Sequence, residues 1–214
     1  MLVYRDIHLV DGTNANVYVV LTSGYTLIID AGLPGMEKLV LEYLRGLGAY
    51  GNSGRDIMIV VTHAHYDHVG GLKNLKNSLN AKVAVHREEV DYVTGRKVAG
   101  RYRSEPVEVD VVLDDGDKLY DRFTVIHTPG HTPGSICILD TLSSSLFVGD
   151  IVYEENGKLY EIPRYYSMDP DSNRKAIAKL LELEFENLLP SHGNPVIGAG
   201  REKLYALARE LKVV

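Results

Sequence analysis

Apolar positions along the chain fall into short runs separated by polar turns. Residues 16–21 and 25–29 are rich in strand formers and flank Thr22-Ser23-Gly24, which predicts a β-hairpin ended by Asp30-Ala31-Gly32. After Pro34-Gly35, Leu39, Leu41, Leu44 and Leu47 recur near helical spacing and predict a helix. Residues 57–61 and 82–85 are brief apolar runs, read as strands buried on both faces. Gly70-Gly71-Leu72 opens a short helix, and 87–93 reads as helical. Residues 109–113 and 118–120 flank Asp114-Asp115-Gly116-Asp117, a turn signal. Three more strands are expected at 123–126, 135–139 and 145–148, and Glu154-Glu155-Asn156-Gly157 is a hairpin turn. Residues 171–184 form a long amphipathic helix through Ile177, Leu180 and Leu181, 191–195 a loop, and 201–212 a final helix. Strands, helix, strand, helix, twice over, predicts an α/β fold of two sheets packed together with helices outside.

No repeat, low-complexity tract or Ser/Pro-rich linker breaks this pattern, so residues 1–214 are read as a single domain. At 45% hydrophobic and 24% charged, the composition excludes disorder or fibrous architecture for the whole chain. No apolar run approaches the ~20 residues of a spanning helix, and no membrane association is expected. Arg5 and Asp6 stand where a signal peptide would need its apolar stretch. The lone Cys137 allows neither an internal disulfide nor a CxxC pair, so a cytoplasmic location is expected. A formal charge of −6 is badly suited to neutralising phosphates, and no nucleic-acid partner is expected. That count omits any bound cations.

The strongest chemical signal is Thr62-His63-Ala64-His65-Tyr66-Asp67-His68, directly after the buried run 57–61. It places four metal-ligand side chains at the end of a rigid element. Imidazole and carboxylate hold zinc, manganese or iron. His63 and His65, two apart, aim one way if the strand geometry runs on, and Asp67 and His68 aim elsewhere once the chain turns. Such a pattern arises by chance roughly once in a thousand chains of this composition. Three further residues fit. His131 lies in the stiff loop Thr128-Pro129-Gly130-His131-Thr132-Pro133-Gly134. Asp150 follows Phe147-Val148-Gly149, and His192 lies in Pro190-Ser191-His192-Gly193.

The segments THAHYDHVGG, TPGHTPGS, FVGD and PSHG, in this order, together with the hairpin ending in Asp30-Ala31-Gly32, resemble the metallo-β-lactamase-fold hydrolase superfamily, and within it the glyoxalase II-like branch. The resemblance implies an αββα sandwich, with two mixed β-sheets packed face to face, helices outside and a two-metal site along one edge. It also implies that His63, His65 and His131 hold one cation. Asp67, His68 and His192 would hold the other, and Asp150 would bridge them. The implied cofactors are two divalent ions, zinc first, with iron and manganese as the other candidates. The expected activity is hydrolysis by a metal-bound hydroxide of a small-molecule ester-type bond, a thioester or a lactone, with Asp67 orienting the nucleophile and relaying a proton. Asp30 is expected to orient a ligand.

Softer assignments follow. Tyr153, three residues after Asp150, stands at a position that resembles the tyrosine near the leaving oxygen in related lactonases, and reads otherwise as an amphipathic strand tyrosine. Arg164 and Tyr165 lie where relatives place substrate contacts. Arg96, Lys97, Arg101 and Arg103 form a basic run that either catches an anionic substrate or is simply solvated. His127 is read as packing or hydrogen-bonding on an apolar strand, and Cys137 as core. Only residues 193–214 follow His192, unlike glyoxalase II-type enzymes with a helical glutathione-binding extension. The alternatives on the same scaffold are a persulfide dioxygenase-like mononuclear iron oxidoreductase and a phosphodiesterase or nuclease. A purely structural zinc would use one closed four-ligand site, fewer than these seven residues.

Overall fold

The computed structural model describes residues 1–50 and 54–214. The chain divides into two compact units, Met1–Leu113 and Asp114–Val214.

In the first unit the elements are β1 (Leu2–Tyr4), β2 (Ile7–Val10), β3 (Val17–Leu21), β4 (Tyr25–Ile29), α1 (Glu37–Gly46), β5 (Asp56–Val61), α2 (Tyr66–Val69), α3 (Leu72–Leu79) and β6 (Lys82–His86). A 3-10 turn, Arg87–Glu89, leads into α4 (Val90–Val93), and β7 (Val111–Leu113) ends the unit. Among the described residues these strands form one sheet in sequential order, β1 to β7. Pairing is antiparallel from β1 to β4 and parallel from β4 to β7. Parallel neighbours need a crossover, and α1, α2 with α3, and α4 supply the three required. Val19, Ile28, Ile59, Val61, Val83 and Val85 form the core with Val40, Leu44, Leu72 and Leu75 from the helices. The buried stripe of α1 is Glu37, Val40, Leu41 and Leu44, an i, i+3, i+4, i+7 set. Leu39 and Leu47, grouped with it by spacing in the sequence, lie off that stripe and are exposed.

The second unit contains β8 (Lys118–Leu119), β9 (Phe123–His127), β10 (Ile136–Asp140), β11 (Ser145–Gly149), β12 (Val152–Glu155), β13 (Lys158–Glu161), α5 (Pro170–Leu180), β14 (Asn187–Pro190) and α6 (Gly200–Glu210). Its main sheet runs β14-β11-β10-β9-β8, with β14 parallel to β11 and the other pairs antiparallel. Both sheets are therefore mixed. The hairpin β12–β13 turns through Asn156 and Gly157, both at positive φ, as a two-residue turn between right-twisted strands requires. Asp169 caps α5 by accepting from the Ser172 N–H at 3.0 Å, and Pro170 occupies the first turn. Ile177 and Leu180 of α5 pack with Val148, Leu188, Leu204 and Leu207. Cys137 is fully buried among them, and burial pushes its thiol up to about 12, so it is a core residue.

One expected boundary needs correction, and three strands were not expected. Helix α5 stops at Leu180, short of Glu184, because the chain must turn to enter β14. Strand β14 was not read from the sequence, since four residues ending in Pro190 carry too little pattern. Strands β1 and β2 were missed as well, being separated only by a tight turn with Arg5 at φ 51°. Among the described residues no helix is long and apolar enough to cross a membrane.

Candidate metal centre

The first unit places its ligand-type side chains where β5 ends. His65 is still extended, and α2 begins at the next residue. The backbone therefore changes direction between His65 and Asp67, as the spacing predicts. His63 Nε2 and His65 Nδ1 lie 3.1 Å apart, and the rings of His63 and His68 are 3.9 Å apart at their centroids. Asp67 Oδ2 stands 3.9 Å from His68 Nε2, with the aspartate side chain 28% exposed.

Asp30 fixes the tautomers of two of these histidines. It is fully buried at the end of β4, with φ 64°, a left-handed conformation that aspartate tolerates better than most residues. Its Oδ1 accepts from the Thr62 N–H at 2.8 Å. Its Oδ2 accepts from the Thr62 hydroxyl and from His68 Nδ1, both at 2.8 Å. A carboxylate oxygen only accepts, so His68 carries a proton on Nδ1, and in the neutral ring the lone pair is then on Nε2. The Thr62 hydroxyl has one hydrogen, already given to Asp30. His63 Nδ1, 3.1 Å from that oxygen, is then the donor, and His63 Nε2 bears the lone pair. Both histidines thus present Nε2 as a metal-binding atom, and one carboxylate behind them enforces it.

Glu89 is a residue that sequence reasoning missed. It is fully buried, and its Oε2 accepts from the N–H of Ala64 at 2.8 Å, between the two histidines of the HxH pair. A buried glutamate in the segment 87–93 was the only available signal. Glu37 does similar work nearby, accepting from the Gly35 N–H and the Asn74 amide.

The second unit gathers the other three. Asp150 follows β11, whose last residue, Gly149, has φ 52°. Its Oδ2 lies 3.5 Å from His131 Nε2 and 3.4 Å from His192 Nε2. The loop holding His131 is tied down at both carbonyls, with Asp169 N–H donating to Gly130 and Met168 N–H to His131. Gly130 is obligatory there: at φ 143°, a Cβ would stand 2.1 Å from the Asn173 backbone nitrogen. His127 anchors the far side of the loop, its Nε2 lying 2.9 Å from the Pro133 carbonyl. His192 is held by Glu154, whose N–H donates to the His192 carbonyl at 3.0 Å. The buried Glu154 carboxylate also accepts from Gly157 N–H and from Asn194 N–H, joining the hairpin turn to the histidine loop. The sequence placed Glu154 in a turn and gave no hint of this role.

Tyr153 stacks on Tyr160 at 5.3 Å between centroids. Burial first, then the Glu155 and Tyr160 charges, holds its phenol above the usual range, so it remains a hydrogen-bond donor at neutral pH. Arg164 pairs with Asp171 at 2.7 Å, and Tyr165 is 78% exposed against Tyr166.

The donor set fits divalent cations. Two donors about 2.0–2.1 Å from one tetrahedral cation stand roughly 3.3–3.4 Å apart. In the first unit the separations are 3.1 Å for His63–His65 and 3.9 Å for Asp67–His68, and in the second 3.4–3.5 Å, so they bracket that span.

The family profile described as Metallo-beta-lactamase superfamily matches residues 10–192, which include every ligand-type residue named above. The chain belongs to this superfamily of metallo-hydrolases. Among curated proteins it is 34% identical to the acyl-coenzyme A thioesterase MBLAC2 of Gallus gallus, over 92% of this chain and 78% of that protein. It is 30% identical to the hydroxyacylglutathione hydrolase of Pelagibacter ubique, over 60% of this chain and 48% of that protein. Among solved structures, a metallo-β-lactamase of Cronobacter sakazakii superposes with TM-score 0.78 at 20% identity, covering 100% of this chain and 92% of that one. That likeness shows the fold. TTHA1623, solved in a di-iron-bound form, superposes with TM-score 0.71 at 26% identity, covering 92% and 97% of the two chains.

Proposed function

We propose that the chain is a dinuclear metal-dependent thioester hydrolase acting on a small molecule. In this reading His63, His65 and His131 would hold one divalent ion, Asp67, His68 and His192 would hold the other, and Asp150 would serve both. The observation that carries the reading is the pair of enforced tautomers, which leaves His63 Nε2 and His68 Nε2 with lone pairs to offer. Two relatives are named for reactions on thioesters, a support for thioester over lactone. Zinc is the proposed metal, and the lone buried Cys137 suits a reducing cytoplasm.

The ions, when bound, supply Lewis acidity and make a water acidic enough to react near neutral pH. The chain's own residues do the rest. Asp67, partly exposed, takes the proton of the attacking water on Oδ2 and passes it to the departing sulfur. Asp30 keeps His63 and His68 from turning, and Glu89 holds the peptide between His63 and His65. The Tyr153 hydroxyl donates to the substrate carbonyl or its leaving atom.

The test is a chelated, metal-free preparation assayed with an acyl-coenzyme A, a hydroxyacylglutathione, a lactone and a phosphodiester, before and after adding zinc, iron or manganese. Thioester hydrolysis lost on chelation and restored by a divalent ion is expected. Full activity without metal would overturn the mechanism. Oxygen uptake with a persulfide, without thioester hydrolysis, would replace it by the oxidoreductase reading.

A further inference from the structure

The basic run beside the first half of the site is not uniform. Asp91 takes its first two cations, with Arg96 Nε at 2.7 Å and Lys97 Nζ at 3.2 Å. Arg101 and Arg103 have no ion-pair partner among the described residues, and both are exposed. They flank Tyr102, which is 62% exposed.

This segment is a built loop, held at both ends. Lys97 N–H donates to the Asp91 carbonyl at 2.9 Å, and Val107 N–H to the Val93 carbonyl at 3.0 Å. Gly95, at φ 77°, lies so close to Pro106 that a Cβ would meet its ring at 2.7 Å. Ala99 is buried. The loop then passes the HxH pair itself: a Cβ on Gly100 would stand 3.5 Å from His65 Cδ2. The Tyr102 ring packs at 5.5 Å on Tyr66, which sits in the motif between His65 and Asp67.

We propose that Arg101, Tyr102 and Arg103, with Tyr66 behind them, bind the phosphate- and base-bearing half of a coenzyme A thioester. The inference rests on the thioester reading and names its substrate class. Guanidinium groups match phosphate oxygens with paired N–H donors. An exposed aromatic face between them offers a stacking surface to a nucleobase, which glutathione lacks. The loop that carries the charge passes beside His65, and the flexible pantetheine arm that separates the phosphates of coenzyme A from its acyl sulfur would have to span from these exposed arginines to the histidines.

The experiment compares the native chain with the Arg101→Glu/Arg103→Glu double variant and with Tyr102→Ala. Substrates carry one acyl group on coenzyme A, on N-acetylcysteamine, which has no phosphate, or on glutathione. The kcat/KM ratio of coenzyme A over N-acetylcysteamine thioester is expected to fall at least about tenfold in the double variant, through KM. A smaller fall is expected for Tyr102→Ala. Native KM for the coenzyme A thioester rises with added salt. An unchanged ratio, or an equal loss with the glutathione thioester, would overturn the subsite. Calorimetry of free coenzyme A on the chelated protein reads the subsite apart from hydrolysis. Binding that is absent, or equal in native and double variant, overturns this inference. Failure of the metal-loaded native chain to cleave any of the three thioesters overturns the thioester reading itself.

Discussion

Asp67→Ala lowers thioester turnover by roughly 10²–10⁴-fold, the range that a positioned acid–base group contributes. The side chain lies in the first turn of α2 with 28% of its surface exposed, and its Oδ2 faces the His68 ring edge. Unlike the buried His63 and His68, it reaches solvent and has a route to exchange protons. Its partial exposure also predicts a small structural effect, within about 1 kcal/mol. Steady-state kinetics and thermal unfolding on one preparation check both halves. Asp67→Asn keeps the shape and removes the charge, and it is expected to show the same loss of turnover. A variant with native turnover would remove Asp67 from the mechanism.

Arg122→Ala has the opposite profile, destabilising the fold by about 3–5 kcal/mol without touching a proposed ligand. Arg122 donates from Nε to Asp140 Oδ1 at 2.7 Å and from a terminal nitrogen to Oδ2 at 2.6 Å. The Asp140 side chain has no exposure, and that of Arg122 has 7%. The Ser143 hydroxyl, the Leu142 N–H and the Ser143 N–H also donate to Asp140. Removing the guanidinium strands a carboxylate in the interior at the end of β10, and the remaining neutral donors do not replace a charge. The main-chain oxygen of Arg122 also accepts from Thr141 at both its N–H and its hydroxyl, so the corner is stitched twice. Urea denaturation measures the loss. A change below about 1 kcal/mol would contradict this account of the corner.

Much of the candidate site was legible because its ligand-type residues are chemically distinctive and lie at the ends of buried runs. His63, His65, Asp67 and His68 announce themselves within six positions. His131 and His192 are legible only as members of stiff Pro/Gly segments, and each unit indeed holds its ligand-type side chains close together. The carboxylates behind the histidines were far less legible. Asp30 was marked by the end of a strand, but Glu89, Glu37 and Glu154 were not. Their partners are backbone N–H groups up to 40 residues away, and no residue spacing encodes such a pairing. Fold errors have the same origin. Strand β14 is four buried residues with no alternation to read, and its place beside β11 depends on pairing that only the folded chain supplies. Leu39 and Leu47 matched a helical spacing, yet the stripe that packs is set by Glu37, Val40, Leu41 and Leu44. Arg96 and Arg101 look alike in the sequence, and only Asp91 separates a neutralised cation from an available one.

The central proposal is that the seven ligand-type side chains hold a pair of cations. Anomalous X-ray scattering from crystals of the metal-loaded protein, collected at the metal's absorption edge, tests it most directly. The account predicts two peaks roughly 3.5–4 Å apart, one ligated by His63, His65 and His131, the other by Asp67, His68 and His192, with Asp150 touching both. A single peak, or peaks away from these side chains, would contradict it.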